Sequence, residues 1–202
     1  LLSRWQATLP ADAPNRFVIN VQPGQLPQLR KYLQSSGVAA PEFYPMVRGR
    51  LVRYNGRAVT GDDFAQGGER ARRLAEREFN LSFVARLRQD NEVVSGRFWP
   101  PQGPAQPEIS VEQDFAKMMG WKLGDRIEFD VAGQPFAAKL TSLRKVDWQS
   151  FKPNFFVIGS PAALRELPAS YVLAVHAPTA RPRFTSDLVA AFPNLTVIEI
   201  DA

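Results

Sequence analysis

The stretch 109–150, ISVEQDFAKMMGWKLGDRIEFDVAGQPFAAKLTSLRKVDWQS, decides the fold class. Ser110 is placed to cap a helix, because its hydroxyl can accept a bond from a free N–H of the first turn. Glu112 and Asp114 lie near the positive end of that helix's dipole. Phe115, Met118 and Met119 recur at helical spacing and give it one apolar face, and Gly120 is the expected stop. Gly124-Asp125 then turns the chain into Ile127, Phe129 and Val131, which alternate with Arg126, Glu128 and Asp130. That alternation is a strand with one buried face. Gly133-Gln134 permits a hairpin turn, and residues 136–146 return as further strand. A helix followed by strands, with polar and apolar positions in the period of each, is the pattern of an α+β protein.

Outward from this stretch, the two ends of the chain carry a matching pair of units. Leu1, Leu2, Trp5 and Leu9 have the spacing of a helix packed on the domain, and Pro10 and Pro14 break it. Residues 17–21, FVINV, read as a strand and Pro23-Gly24 as its turn. Leu26, Leu29, Tyr32 and Leu33 mark an amphipathic helix closed by Gly37. Residues 43–54 are extended, and Asn55-Gly56 is a strong hairpin signal. Near the other end, residues 171–176 (YVLAVH) form a strand, 186–192 a short helix with Leu188, Val189 and Phe192 inward, and 195–200 (LTVIEI) a strand. Two β-α-β units fit a ferredoxin-like split β-α-β sandwich, made of residues 1–60 and 168–202. The long middle, 61–167, is then an inserted, mostly β subdomain. Its boundary is the Gly- and Asp-rich run 61–68, followed by a charged helix over 70–79 and strands over 81–87 and 92–98. The run 99–107, WPPQGPAQP, is a Pro-rich loop that cannot hold ladder hydrogen bonds. No repeat of solenoid length is visible.

Composition excludes several function classes. The 202 residues suffice for one large domain or two small ones, and a hydrophobic share of 45% with 22% charged residues is that of a globular protein with a packed core. There is no cysteine, which fits an oxidising compartment and is also common elsewhere. The formal charge of +5 comes from arginines scattered among acids. The clusters near 48–57 and 70–77 read as solvated faces, and without a dense basic stripe there is no case for a nucleic-acid partner. No apolar run approaches the roughly 20 residues of a membrane helix. There is no signal peptide and no initiating Met, so the chain reads as an excised piece of a longer protein.

No catalytic constellation emerges. His176 is the single histidine. It sits in an apolar strand and, with no cysteine, offers no metal set. A Ser-His-Asp site would need it as base, yet no G-x-S-x-G elbow exists; Ser95-Gly96 and Gly159-Ser160 match only half of one. Nucleotide-binding glycine loops are missing. The pair Asp62-Asp63 reads as a solvated turn, since the further oxygen ligands of a calcium site are not spaced for it. The chain is therefore expected to be neither an enzyme nor a holder of a cofactor or metal. Binding is expected in 147–156, DWQSFKPNFF, where Trp148, Phe151, Phe155 and Phe156 surround Lys152-Pro153-Asn154. Trp148 and Phe151, with Lys152 between the aromatics, are the candidate anchors for a partner or an acyl chain, because large aromatics bury much area at low rotamer cost. Phe98 and Trp99, at the Pro-rich loop, are the second candidates, loops being a common seat of binding.

Several pieces of this sequence also resemble a known family. The segment GWKLGDRIEFDVAGQPFAAKLTSLRKV behind a short helix is similar to the extracytoplasmic core domain of FtsX-like (MacB-type) ABC transporter permeases. Residues 93–99, VVSGRFW, resemble the segment that precedes that helix in the family. Lys145-Val146-Asp147-Trp148, Phe151 and Asn154-Phe155-Phe156 resemble its YbbP-like branch, as do Leu9-Pro10, Ala13-Pro14-Asn15-Arg16-Phe17 and Pro45-Met46-Val47-Arg48-Gly49-Arg50-Leu51. The pieces run in order over nearly the whole chain. The resemblance implies a membrane-proximal Porter-like sandwich carrying a Sabre-like β insertion. It implies a periplasmic domain of an inner-membrane protein in a Gram-negative bacterium, with membrane helices flanking the chain and a separate cytoplasmic ATPase subunit that binds the ATP. It further implies a non-catalytic role: conveying ATP-driven motion to a periplasmic partner of the lysophospholipase or thioesterase kind, or extracting hydrophobic, lipid-like cargo. Two other roles stand beside it, a regulator that activates a cell-wall hydrolase without touching cargo, and a stand-alone hydrolase.

Overall fold

A computed structural model describes residues 13–39, 41–59, 68–69, 73 and 76–200. The helix expected over 1–9, residues 61–67 of the expected boundary and half of the helix expected over 70–79 lie outside these residues; Phe79, the end of the latter, is already in a strand. The chain divides into two compact units. The smaller comprises the chain up to Pro45, Trp148–Pro153 and the residues from Ser170 on; the larger is Met46–Asp147 with Asn154–Ala169.

In the smaller unit, strand β1 (Arg16–Val21) lies between β11 (Thr196–Glu199) and β10 (Ser170–Val175), antiparallel to both. Helices α1 (Leu26–Ser35) and α3 (Phe184–Ala191) close one core. Leu29 and Leu33 of α1 and Phe184 and Leu188 of α3 meet Val18, Val21, Leu173 and Val175 from the strands. The periodicities of 3.6 and 2 in the sequence thus converge on one apolar layer. The first and last strands are neighbours. Arg16 is in register with Glu199, with an ion pair at 3.6 Å, and the Ile200 N–H donates to the Asn15 carbonyl at 2.9 Å. The chain therefore enters and leaves this sheet side by side. His176 is half-buried just beyond β10, its Nδ1 2.9 Å from the Ala13 carbonyl.

The larger unit is a closed barrel. Its strands are β2 (Tyr44–Tyr54, from Met46 on), β4 (Glu78–Phe83), β6 (Glu108–Glu112), β7 (Arg126–Val131), β8 (Gln134–Val146) and β9 (Val157–Gly159). Pairing runs β2-β4-β9-β6-β8-β7 and back to β2. Arg50 of β2 is in register with Glu78 on one side and Asp130 on the other, which closes the ring. Two of the six pairings, β4 with β9 and β6 with β8, are parallel. Val47, Leu51, Phe79, Leu81, Ile109, Val111, Ile127, Phe129, Val131, Phe136, Ala138 and Leu140 fill the interior, as in small barrels whose lumen is packed side chain. Helix α2 (Gln113–Met119) adds Phe115, Ala116 and Met119 to that core, and Trp121 follows. A buried Phe is worth about 1.5–3 kcal/mol, so Phe79, Phe115, Phe129 and Phe136 anchor the unit. Strand β5 (Asn91–Gly96) flanks the barrel on β8, and the short β3 (Arg57–Ala58) on β2.

Three sequence expectations change. The larger unit begins near Met46 and not at 61, because residues 47–54 of β2 are committed to β4 and β7. Ser110 does not cap the helix: it is fully buried inside β6. Glu112 is the cap, its carboxylate accepting from the N–H groups of Asp114 (2.8 Å) and Phe115 (2.9 Å). Strands expected over 81–87 and 92–98 are shorter and begin earlier. The Asn55-Gly56 hairpin turn is present with both residues at positive φ, and Gly120 ends α2 in the left-handed conformation.

Candidate functional site

The segment from 147 to 156 is bracketed by a buried polar cluster of the larger unit. β8 presents Phe136, Ala138, Leu140, Ser142, Arg144 and Val146 inward by strict alternation, so Arg144 is carried inside and is wholly buried. A buried guanidinium must be hydrogen-bonded, and each of the three nitrogens of this one is. Its Nε donates to Ser110 Oγ (3.0 Å), Nη1 to Asn91 Oδ1 (2.6 Å), and Nη2 to the carbonyls of Ser110 (3.2 Å), Phe155 (2.9 Å) and Phe156 (3.0 Å). The Ser142 hydroxyl donates to Ser110 Oγ at 2.7 Å. Burial pulls the Arg144 guanidinium down to about 10, against the opposing pull of the Glu112 carboxylate.

A second layer fixes Asn154. Its Nδ2 donates to Asp90 Oδ2 (2.7 Å), and its Oδ1 accepts from Asn91 Nδ2 (2.8 Å) and Arg88 Nη2 (2.8 Å). The Asp147 N–H donates to the Asp90 carbonyl at 2.8 Å. Residues on both sides of Trp148–Pro153 are thus clamped to the turn before β5. The Asn154 bonds to Asp90 and Arg88 are charge-assisted, roughly twice as strong as neutral ones, while Asp147 is held by a neutral backbone bond.

Within the segment, residues 148–150 form one turn of 3-10 helix. Trp148 is 48% exposed, Phe151 half-buried and Lys152 exposed. Phe151 has φ +57, a left-handed backbone unusual for a bulky side chain. Strain at such a residue persists only where the surroundings over-determine it. Phe155 is buried, and Phe156 stacks on Phe115 with centroids 4.7 Å apart.

The second pair of candidates is placed differently from what the sequence suggests. Trp99 is 4% exposed, with its indole N–H donating to the Val84 carbonyl at 3.0 Å. Phe98, half-buried, stacks on it at 4.0 Å. A Trp so enclosed is a strut under the Pro-rich loop, and Phe98 is what the pair offers to solvent. Among the described residues no group of three or more His, Cys, Asp or Glu is arranged to hold a metal, and no helix is long and apolar enough to cross a membrane.

Another cluster joins the β2–β3 turn to the start of β7. The Tyr54 hydroxyl donates to Asp125 Oδ2, Asn55 Nδ2 to Asp125 Oδ1 (3.2 Å), and the Lys122 N–H to Asp125 Oδ2 (2.9 Å). Burial, then Asp125 itself, pushes the Tyr54 phenol up to about 12. Burial alone would raise the Asp125 carboxyl, but its three hydrogen-bond donors outweigh that and hold it below the usual range.

Comparison with known proteins gives this geometry its context. No protein-family model matches the chain. All 202 residues align, at 35% identity, with the uncharacterized ABC transporter permease YbbP of Escherichia coli (strain K12). By sequence, this chain is kin to the YbbP-like ABC transporter permeases. It spans 24% of that relative, about a quarter of its length. A crystallised domain of a putative permease protein from Porphyromonas gingivalis is also similar, at 11% identity and a TM-score of 0.44 over 96% of this chain and 94% of that one.

Proposed function

We propose that this chain is a non-catalytic, extracytoplasmic part of an ABC transporter permease, and that it carries motion from membrane helices to a partner or cargo outside the membrane. The observation that carries the reading is the 35% identity along all 202 residues to such a permease. The paired first and last strands support it. With Ile200 bonded to Asn15, flanking segments would leave the smaller unit side by side and could turn it as one body, a hinge-type response. Its three antiparallel strands and two helices are read as the greater part of a ferredoxin-like, Porter-like sandwich, and the barrel as the Sabre-like insertion. In this reading a separate cytoplasmic subunit binds and hydrolyses the ATP, and the chain stands in the periplasm of a Gram-negative cell.

The segment with Trp148, Phe151 and Lys152 is the proposed contact for a periplasmic hydrolase or for lipid-like cargo. An aromatic that is half exposed between clamped feet loses little freedom on binding. The test uses the whole permease and its ATPase subunit in liposomes, with ATP-dependent release of a fluorescent lysophospholipid to an acceptor as readout. Trp148→Ala/Phe151→Ala should lower release about tenfold while ATP hydrolysis persists. Unchanged release would move the contact elsewhere. Hydrolysis of the lysophospholipid by this chain alone would overturn the non-catalytic reading.

A further inference from the structure

We infer that the barrel face where β7 meets the middle of β8 is a docking surface for a protein partner that presents carboxylates around an apolar centre. Arg126 and Lys139 stand directly opposite one another across the β7–β8 ladder, and both are exposed. Like charges so placed repel and cost stability. Neither has a carboxylate partner among the described residues. Two further cations adjoin them. Arg97, also exposed, donates its N–H to the Thr141 carbonyl at 3.0 Å, two positions along β8 from Lys139. Lys122 lies in the turn before β7 with its side chain 78% exposed. Two carboxylates nearby offset only part of these four. Asp125, 4% exposed and held by Tyr54 and Asn55, lies 3.9 Å from Lys122 Nζ. Glu108, in register with Lys139 on its other side, accepts from the Thr141 hydroxyl at 3.1 Å.

The same face carries the apolar centre. Leu123 is 40% exposed and sits against the end of β5, where a Cβ on Gly96 would lie 3.1 Å from its Cδ2. Val94, 46% exposed, is the bulged residue between Val93 and Ser95. Exposed Leu and Val beside cations that the local carboxylates only partly offset match an acidic surface with an apolar patch, since complementary charge steers encounter and fixes register while the apolar contact supplies hold. A repelling pair on an exposed ladder costs the isolated chain stability and becomes favourable only when acidic groups cover it. This inference stands independently of the permease reading.

Two measurements on the 202-residue chain test it. Arg126→Glu converts the repelling pair into an attracting one and leaves Lys139 its Glu108 neighbour, so the melting temperature should rise by about 1–3 °C; a fall would overturn the claim that the pair is a stability cost. The binding probe is a fluorescein-labelled peptide of alternating Glu and Leu, followed by anisotropy. Arg126→Glu/Lys139→Glu should weaken it at least about tenfold, while Lys31→Glu/Arg48→Glu, an equal change of charge elsewhere, stays within about twofold. Equal losses in both variants would show general attraction to a basic chain and refute the site. Tighter binding to phosphatidylglycerol vesicles than to the peptide, abolished by the same two substitutions, would assign the face to a membrane and refute the protein partner.

Discussion

Replacing Arg144 with Met keeps most of the buried volume and removes all five of its hydrogen bonds. The Phe155 carbonyl is left without that donor, while the Phe156 carbonyl keeps the Glu112 N–H at 2.8 Å. An acceptor stranded in the interior costs about 1–3 kcal/mol. The sum is not additive, because Ser110 Oγ keeps the Ser142 hydroxyl and Asn91 keeps Asn154. Removing one member of a buried charged network costs about 3–5 kcal/mol, and that range is the expected loss. Against a total of roughly 5–15 kcal/mol for a domain it is a large fraction, equivalent to a fall of about 6–20 °C in Tm. Arg144→Lys should lose nearly as much, since an ammonium with three donors cannot reproduce the planar fork. The assay is urea and thermal unfolding at pH 7 by circular dichroism. A loss below about 1 kcal/mol for Arg144→Met would refute the reasoning: the burial cost of the guanidinium would then equal everything its bonds return, and the cluster would not be what fixes residues 154–156.

Glu112→Ala removes the cap of α2 and should cost about 0.5–2 kcal/mol; a double-mutant cycle with Arg144→Met should show coupling, because the Glu112 charge acts on Arg144. Gly96→Ala places a Cβ 2.2 Å from the Thr141 carbonyl oxygen at φ +79, so unfolding should report a loss of more than the roughly 1–2 kcal/mol of the left-handed backbone alone. Tyr54 has its folded-state pKa raised from 10.0 to about 12, so its contribution is fully present below pH 10 and fades as pH rises toward 12; Tyr54→Phe should flatten that alkaline limb of the stability profile. Asp125 is lowered from 3.8, so its contribution is present above that value and is lost as pH falls through the depressed folded-state pKa; Asp125→Asn should flatten the acid limb, and an unchanged limb in either variant would count against the cluster.

The strands and helices of both units were legible because their signals are local. Alternation names β7 and β8, helical spacing names α1 and α2, and Asn55-Gly56 names its turn. Closure of the barrel was not legible, because ring pairing joins β4 to β9 and β6 to β8 across long separations, and no local pattern encodes which strand meets which. The cap of α2 was misplaced for a related reason. Ser110 is the better capping residue in isolation, yet pairing of β6 with both β8 and β9 draws it into a strand and leaves the task to Glu112. Arg144 could have been found. Its parity with Phe136, Ala138 and Leu140 puts it on the inward face, and an arginine at an inward position announces a buried network whose members, Asn91 and the carbonyls at 155 and 156, only the fold reveals.

The filled barrel restricts how such a domain could handle a hydrophobic cargo. A lumen that accepts an acyl chain needs small or missing side chains along several strands. Here Phe79 packs edge-on against Phe115 and Phe129, with centroids 5.7 Å apart in each pair, and Phe129 stacks on Phe136. Opening that interior would expose several buried aromatics at about 1.5–3 kcal/mol each, comparable to the entire stability of a domain. Any contact with lipid or partner is therefore made on the outside, by loops and faces held in place by the packed interior. The segment at Trp148, between Asp147 and Asn154, and the pair Arg126 and Lys139 on the β7–β8 ladder both lie on such outer faces. Rigidity inside and unbalanced chemistry outside let such a face keep its shape while a partner covers it.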